Sequence, residues 1–402
     1  MIRFSYSLFS AGISLFWRIS AFLGNEKSKK AIDGRRNWEE KLKFLGFKNQ
    51  PIWIHASSHG EGLMAKPIIE ELIENTKYEI LISFFSPSGY ENFSYKNERI
   101  KKFYLPLDYK SNSRKFIKTI NPKLLIFVKY DFWMNHIIEA QNNDIPTFAF
   151  SVNLRSNHWY FSWYSSLARE VLKKMKVILT LNNETIKNLA NAGLKNAKLC
   201  GDTRYDQVNT IQDFNLFKVS KPCILLGSSW EEEEKMVSSI YKEFPHVQFI
   251  IAPHDISSYR ITYIQQLFNE ESALLSNGNL DDLPPVLIID KIGILAELYS
   301  ISDIAIIGGG FKDKLHNIIE PAAKGNMILF GPKIDHFPEA GEMENAGFAK
   351  KITGQKELKE TLASFVSKPD ELIEMKDKSI EFVKERRGAT QVVFEKLKPF
   401  LK

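Results

Sequence analysis

Short β-prone apolar runs alternate with helical stretches along this chain, and the alternation occurs twice in succession. The first series is IWIHA (Ile52–Ala56), EILISF (Glu79–Phe84), LLIFV (Leu124–Val128), PTFAFSV (Pro146–Val152) and VILTL (Val177–Leu181), with helical stretches such as Lys66–Asn75 and Asn183–Ala192 between them. Continuous apolar runs of this length suit strands covered on both faces. Their alternation with helices predicts a parallel sheet between two helical layers. The second series is CILLGS (Cys223–Ser228), VQFIIAP (Val247–Pro253), PVLIID (Pro285–Asp290), IAIIGGG (Ile304–Gly310) and MILFG (Met327–Gly331). The polar stretch Asp206–Pro222 lies between the series, has no clear period and reads as the domain boundary. The expected organisation is a short segment 1–43, an αβ domain 44–210 and a second αβ domain 211–402, with the final helix free to pack back on the first domain. Two such domains facing each other place a cleft between the carboxyl ends of their sheets, where folds of this kind bind ligands.

Composition narrows the class. At 402 residues the chain is too long for one ordinary core, and with 44% hydrophobic content and 29 Phe it is too apolar to be disordered. Two cysteines exclude a disulfide framework and a four-thiolate zinc site, so Cys200 and Cys223 read as reduced and structural, as on a cytoplasmic face. The net charge of +6 permits an anionic partner without naming one.

Part of that charge has a definite place. Residues Ile2 to Leu23 are rich in Phe, Leu and Ile, with only Arg3 and Arg18 charged; Gly24–Lys43 then carries seven Lys/Arg against four acidic residues. The apolar stretch has about the 20 residues needed to span a bilayer, but Arg18 and several serines interrupt it. An interfacial anchor fits better, with the basic stretch meeting anionic head groups. The competing reading is an amphipathic helix docked on the body of the protein.

Three strand ends of the first series carry chemistry. IWIHA runs into SSHGEG (Ser57–Gly62), which puts Glu61 near a helix N-terminus. There a carboxylate held in a cleft can remove a proton from a sugar hydroxyl, although a first-turn glutamate alone more often only stabilises the helix dipole. LLIFV runs into VKYDFWMNH, which offers Asp131 for charge, Trp133 for stacking and Asn135 for hydrogen bonding; alternatively Asp131 begins the next helix as a cap. PTFAFSV runs into NLRS, with Asn153 and Arg155. Arginine supplies a fork for a carboxylate or phosphate, or else a surface ion pair of little energetic weight.

The second series has its own set. GSSWEEEEK (Gly227–Lys235) presents Ser228 and Ser229 at a strand-to-helix turn, where donors can meet a phosphate. Its glutamates read as a solvated first helical turn rather than a metal site. APHD (Ala252–Asp255) puts His254 at another strand end. IAIIGGGFKDKLHNIIEPAAKG (Ile304–Gly325) joins a strand, three glycines and a helix expected to begin near His316. Gly309 and Gly310 would allow close backbone approach to a phosphate, and Glu320 would suit a ribose diol. The spacing matches neither the dinucleotide fingerprint nor the Walker loop.

At these residues the sequence resembles the 3-deoxy-D-manno-octulosonic acid (Kdo) transferases of lipopolysaccharide synthesis. The resemblance rests on WIHASSHGE (Trp53–Glu61), KYDFWMN (Lys129–Asn135), NLRS (Asn153–Ser156), GDTRYD (Gly201–Asp206), LHNIIEPAA (Leu315–Ala323) and GPKIDHF (Gly331–Phe337), found in the family's order. The family implies a GT-B fold of two Rossmann-like domains facing across a cleft, with an N-terminal membrane-associating helix. The acceptor site is then mostly N-terminal and the nucleotide-sugar site mostly C-terminal. It implies inverting transfer of Kdo from CMP-Kdo to a lipid A precursor at the cytoplasmic face of the inner membrane, with no cofactor, no essential metal and no nucleic-acid partner. Carried onto this chain, Glu61 matches the proposed general base and Asp131 the second essential carboxylate. Ser58, His59, Gly60, Asn153, Arg155 and Arg204 fall on the substrate side, Arg155 suiting the donor's carboxylate and Arg204 the leaving phosphate. Ser228, Ser229, His254, Gly309, Gly310, His316, Asn317 and Glu320 fall on the nucleotide side. The chain departs from the pattern at Lys129, where the family has a glutamate, at APHD, which lacks an arginine, and in GGGFKDKLHN. The donor pocket is therefore expected to differ somewhat. Competing readings are another GT-B enzyme, such as a hexosamine transferase or a UDP-sugar 2-epimerase, and a non-catalytic lipid-binding protein.

Overall fold

The computed structural model describes residues 2–162, 165–208, 211–277 and 282–401. The chain forms two compact units, Met1–Gln207 with Arg387–Lys402, and Val208–Arg386. Residue 210, the expected end of the first αβ domain, lies outside the described residues.

The first unit is built on seven parallel strands: β1 (Ile52–Ala56), β2 (Ile80–Phe84), β3 (Ile100–Tyr104), β4 (Leu124–Val128), β5 (Thr147–Val152), β6 (Val177–Thr180) and β7 (Ala197–Leu199), in the order β3-β2-β1-β4-β5-β6-β7. Ile54 of β1 lies opposite Ile82 of β2 and Ile126 of β4. Side chains alternate across a strand, so the central strands bury both faces. Trp53, Leu125 and Phe127 enter one core with Phe116 and Ile137. Ile52, Ile54, Ile126 and Phe148 enter the other with Ile68, Ile69 and Leu72. The order reverses between β1 and β4, which makes their carboxyl ends the topological switch point.

Four helices precede β2: α1 (Ile2–Phe22), α2 (Glu26–Arg35), α3 (Trp38–Phe44) and α4 (His59–Asn75). α4 begins well before the expected Lys66. Pro67 resembles a first-turn proline but sits inside the helix, and the true start is Ser58, whose hydroxyl accepts the Glu61 N–H. α1 docks through one face: Tyr6 and Ile13 pack against the first core, Ser10 is buried, and the Trp17 ring lies 5.1 Å from Phe85. On the other side Leu15, Phe16, Ile19 and Phe22, with Leu23 just beyond, form an apolar stripe that is 52% exposed at Ile19 and 90% at Phe22. Among the described residues no helix is long and apolar enough to cross a membrane.

The GDTRYD segment closes this unit. Thr203 donates to the Met64 carbonyl at 2.9 Å, and Asp206 accepts from the Gly388 N–H, the Thr390 N–H and the Thr390 hydroxyl at 2.6 to 2.7 Å. Asp206 thereby caps the helix Ala389–Leu397, whose Val393, Phe394 and Leu397 complete the second core. Loss of such a cap costs about 1–2 kcal/mol, so Asp206→Ala is expected to lower the first unit's melting temperature by a few degrees. Thermal unfolding followed by circular dichroism measures it.

The second unit repeats the plan with β8 (Cys223–Ser229), β9 (Gln248–Pro253), β10 (Ser272–Leu274), β11 (Val286–Ile288), β12 (Ile304–Ile307), β13 (Met327–Phe330) and β14 (Ala349–Lys351), in the order β10-β11-β9-β8-β12-β13-β14. Ile306 lies opposite Leu226 and Leu329, so β12 is central, and the switch point falls between β8 and β12. Cys200 and Cys223 are free and buried.

Candidate active site

In the first unit the site grows from the two strands that flank the switch point. β1 delivers Glu61 into the first turn of α4, and β4 delivers Lys129, Tyr130 and Asp131. Glu61 is 8% exposed, and its Oε2 accepts the Ser57 N–H at 2.5 Å. Burial, and next the charge of Asp131, push its carboxyl up to about 7, against the pull of the Ser57 amide and of Lys129. A carboxylate poised there can take a proton at neutral pH. Lys129 has φ +60, a conformation uncommon for a residue with a side chain, and Ser151 at the end of β5 has φ +53. Backbone held in such a region has to be stabilised by its surroundings, and such residues cluster at working sites.

Tyr160 pins the exposed Asp131 from both sides, its hydroxyl donating to the Tyr130 carbonyl at 2.8 Å and accepting the Phe132 N–H at 3.4 Å. The charges of Asp131, Glu61 and Arg155 all reach the Tyr130 hydroxyl, whose pKa burial raises first. Glu61, Asp131 and Arg155 therefore share one neighbourhood. His59, on α4, is half-buried, and its Nδ1 is buried with no hydrogen-bond partner. Gly60 is exposed. Asn153 is tied back, its Oδ1 accepting from Thr185 and Asn182 at 3.3 and 3.5 Å. Arg204 pairs with Asp202, its Nε 2.8 Å from Oδ2.

Two residues have other duties than expected. Trp133 is no stacking platform: it is buried, its ring lies 4.3 Å from Phe85, and its indole N–H donates to His55 Nε2 at 2.9 Å. Indole can only donate, so neutral His55 carries its proton on Nδ1 and gives it to Ser83 at 2.9 Å. Burial pushes His55 down to about 3, consistent with that neutral form. Asn135 is also fully buried, its amide donating to the Asp108 carbonyl at 2.6 Å.

In the second unit Ser228, at φ +52, is the penultimate residue of β8 and its hydroxyl lies 2.9 Å from His254 Nδ1. Ser229 is buried and donates to Glu234, which also pairs with Arg260. Glu233 and Glu234 are not solvated as the run of glutamates suggested. Glu233 is 1% exposed and accepts the Trp230 and Gly309 N–H groups, each at 3.0 Å. The Gly309 amide is thus already satisfied by protein. The glycine run answers to packing as well: a Cβ would stand 2.0 Å from the Ser228 carbonyl oxygen at Gly308 and 2.5 Å from the Gly331 nitrogen at Gly310. The close approach these glycines permit is between protein backbones.

The helix that follows also differs from expectation. It spans only Ile319–Ala323, so His316 precedes it. Asn317 organises its start, its Oδ1 accepting the Ile319 N–H at 3.0 Å and its amide donating to Glu320 at 2.8 Å. Burial pushes the Glu320 carboxyl up. His316 remains accessible to solvent, with its ring 6.3 Å from that of His254; desolvation by the surrounding protein, and then His254, lower its pKa. Beside them Trp230 stacks on His254 at 4.7 Å, with the Lys312 and Lys314 ammonium groups 4.9 and 5.8 Å from its ring. Trp230, Lys312 and Lys314 were not singled out from sequence, although they lie in the stretches that were. An imidazole–indole–lysine cluster with a desolvated carboxylate suits an anionic ligand bearing hydroxyls.

The comparisons with known proteins agree on the class. Residues 36–207 match the family described as 3-deoxy-D-manno-octulosonic-acid transferase (kdotransferase). A 3-deoxy-D-manno-octulosonic acid transferase of Aquifex aeolicus is 28% identical over 362 residues, covering 87% of this chain and 94% of the relative. That of Haemophilus influenzae is 26% identical over 396 residues, covering 91% and 92%. Among solved structures, UDP-GlcNAc 2-epimerase from Neisseria meningitidis shares the fold, with a TM-score of 0.59 at 16% identity over 87% of this chain and 100% of its own. The chain is a nucleotide-sugar glycosyltransferase of the GT-B fold. Within that class it is similar to the Kdo transferase family, over residues 36–207 and to relatives that cover most of its length.

Proposed function

We propose that the protein transfers Kdo from CMP-Kdo to a lipid A precursor with inversion at the anomeric carbon. The observation that carries the reading is Glu61, a buried carboxyl raised to about 7 beside Asp131 at the switch point of the first sheet. An acceptor hydroxyl must lose its proton as it attacks, and Glu61 is the base for that step. Burial, and then the charge of Asp131, keep Glu61 basic. Lys129 and Arg155 supply positive charge for the anionic groups of donor and acceptor. Within the second unit, Ser228, His254, His316, Asn317 and Glu320 bind the nucleotide and its ribose, with Lys312 and Lys314 near the phosphate. Incubation with CMP-Kdo and a lipid A precursor, followed by mass analysis of the lipid, is expected to show addition of Kdo. Consumption of a UDP-hexosamine, with CMP-Kdo left intact, would instead assign the chain to another GT-B activity.

The acceptor is membrane-borne, and the exposed stripe Leu15, Phe16, Ile19, Phe22 and Leu23 on α1 supports attachment to the bilayer surface. Phe16→Ser with Phe22→Ser is expected to release the protein from anionic vesicles in a flotation assay; undiminished flotation would move the attachment elsewhere.

A further inference from the structure

The groups that hold the Asp131 segment in place belong in part to α1. The helix Met134–Asn142 has Trp133 at its N-cap and no side-chain cap bond of its own. Its first amides are met from outside. The Met134 N–H donates to the Tyr6 hydroxyl at 3.3 Å, and the Asn135 and His136 N–H groups each donate to the Asp108 carboxylate at 3.0 Å. The Tyr6 hydroxyl in turn donates to Asp108 Oδ2 at 2.7 Å, so one oxygen links the cap to its carboxylate.

A second grip lies further along α1. Trp17 stands 5.1 Å from Phe85, Phe85 stands 4.3 Å from Trp133, and Trp133 is bonded to His55. The Arg35 guanidinium covers Trp17 and Phe85 at 4.6 and 4.9 Å and donates to the Phe85 carbonyl. Tyr6 and Trp17 lie about three turns apart on one face of α1, away from the exposed stripe. Both grips close on Trp133 and Met134, two and three residues after Asp131.

We propose that α1 is a positioning element of the active site: Tyr6 and Trp17 hold the segment Lys129–Met134 so that Asp131 stays beside Glu61, and the seating of α1 sets turnover. The activity arm of the test rests on the transferase reading above. Asp131 and Lys129 are the groups whose charges reach Glu61, while Glu61, Asp131 and Arg155 in turn act on the Tyr130 hydroxyl. If the segment loosens, the repulsion from Asp131 weakens and Glu61 becomes a weaker base.

The test uses the full chain with Tyr6→Phe and Trp17→Leu, and Trp17→Phe as the conservative partner. Hydrogen exchange is the first readout. Tyr6→Phe is expected to speed exchange of the amides of Met134, Asn135 and His136 about tenfold while the strands of the second unit stay as protected as before. Turnover of CMP-Kdo with a detergent-dispersed acceptor is the second. In Tyr6→Phe and Trp17→Leu, kcat is expected to fall about tenfold with KM within twofold, and the acid limb of the pH profile to move below about 7. Trp17→Phe keeps a ring against Phe85 and is expected to recover most of kcat. Unchanged exchange, or unchanged kcat and pH limb where exchange has quickened, would overturn the proposal. Should the wild type consume no CMP-Kdo, the transferase reading fails, and the exchange arm alone decides whether α1 holds the segment.

Discussion

Glu61→Gln is expected to lower kcat about a thousandfold, within the range of roughly 10² to 10⁴ that a positioned general base contributes. The amide keeps an oxygen to accept the Ser57 N–H, so the start of α4 stays capped, and CMP binding by the second unit is expected to persist. The acid limb of the wild-type profile should disappear with the carboxylate. With a pKa raised to about 7, the proposed base Glu61 would work only unprotonated, so the wild-type rate should rise about tenfold per pH unit below that value and level off above it. Near-normal turnover by the variant, or a profile flat from pH 5 to 8 in the wild type, would remove Glu61 from the mechanism.

The same shift has a consequence for stability. Glu61 rises from the ordinary 4.5 to about 7 on folding, so between those values the native state holds a proton the unfolded chain has released. Stability from this group is fully present below about 4.5 and is lost as pH rises through 7. At pH 8 the buried charge opposes folding, and Glu61→Gln is expected to be more stable than the wild type by ~1–3 kcal/mol, with little difference at pH 4. Denaturant unfolding at the two pH values measures it. On the proposed reading, the site would keep its base at the expense of native stability.

The strands hidden from sequence reading have one property in common. β3, β7, β10 and β14 are the four edge strands of the two sheets. Each is paired on one side only and needs no continuous apolar run; IKKFY and AKK carry lysines, and AKL and SAL have three residues each. The central strands announce themselves because both of their faces are covered. The site divides in the same way. Glu61, Asp131 and His254 follow central strands directly and are legible from position. Asp108 follows edge strand β3, and its partner His136 is remote in sequence, so only the fold joins them. The buried duty of Glu233 was equally invisible, because four consecutive glutamates read as a solvated turn and nothing local reveals that Gly309 presents an amide to one of them.

Asp108→Ala is expected to cost about 3–5 kcal/mol, a penalty typical of breaking a buried, paired charge. Asp108 is 1% exposed, and its Oδ1 lies 2.5 Å from His136 Nδ1. Burial alone would raise its pKa, but His136, by charge and hydrogen bond, together with Tyr6 and the Asn135 amide, holds it below the usual carboxylate range. A depressed carboxyl stabilises the fold above its unfolded value and loses that contribution as pH falls through the folded one. The gap between wild type and Asp108→Ala should therefore persist from pH 5 to 8 and narrow below about 3.8. Asp108→Asn keeps one acceptor oxygen for the capped amides and is expected to recover part of the loss, but not its pH dependence. The effect should extend to the chemistry. The carboxylate caps the helix that follows Asp131, and with the cap removed the first turn of Met134–Asn142 frays and the Asp131 segment loses its lower support. Turnover should accordingly fall in Asp108→Asn even at temperatures where circular dichroism shows it fully folded. A folded Asp108→Asn with wild-type kcat would mean that Tyr160 and the Trp17–Phe85–Trp133 contacts hold Asp131 without the Asp108 cap.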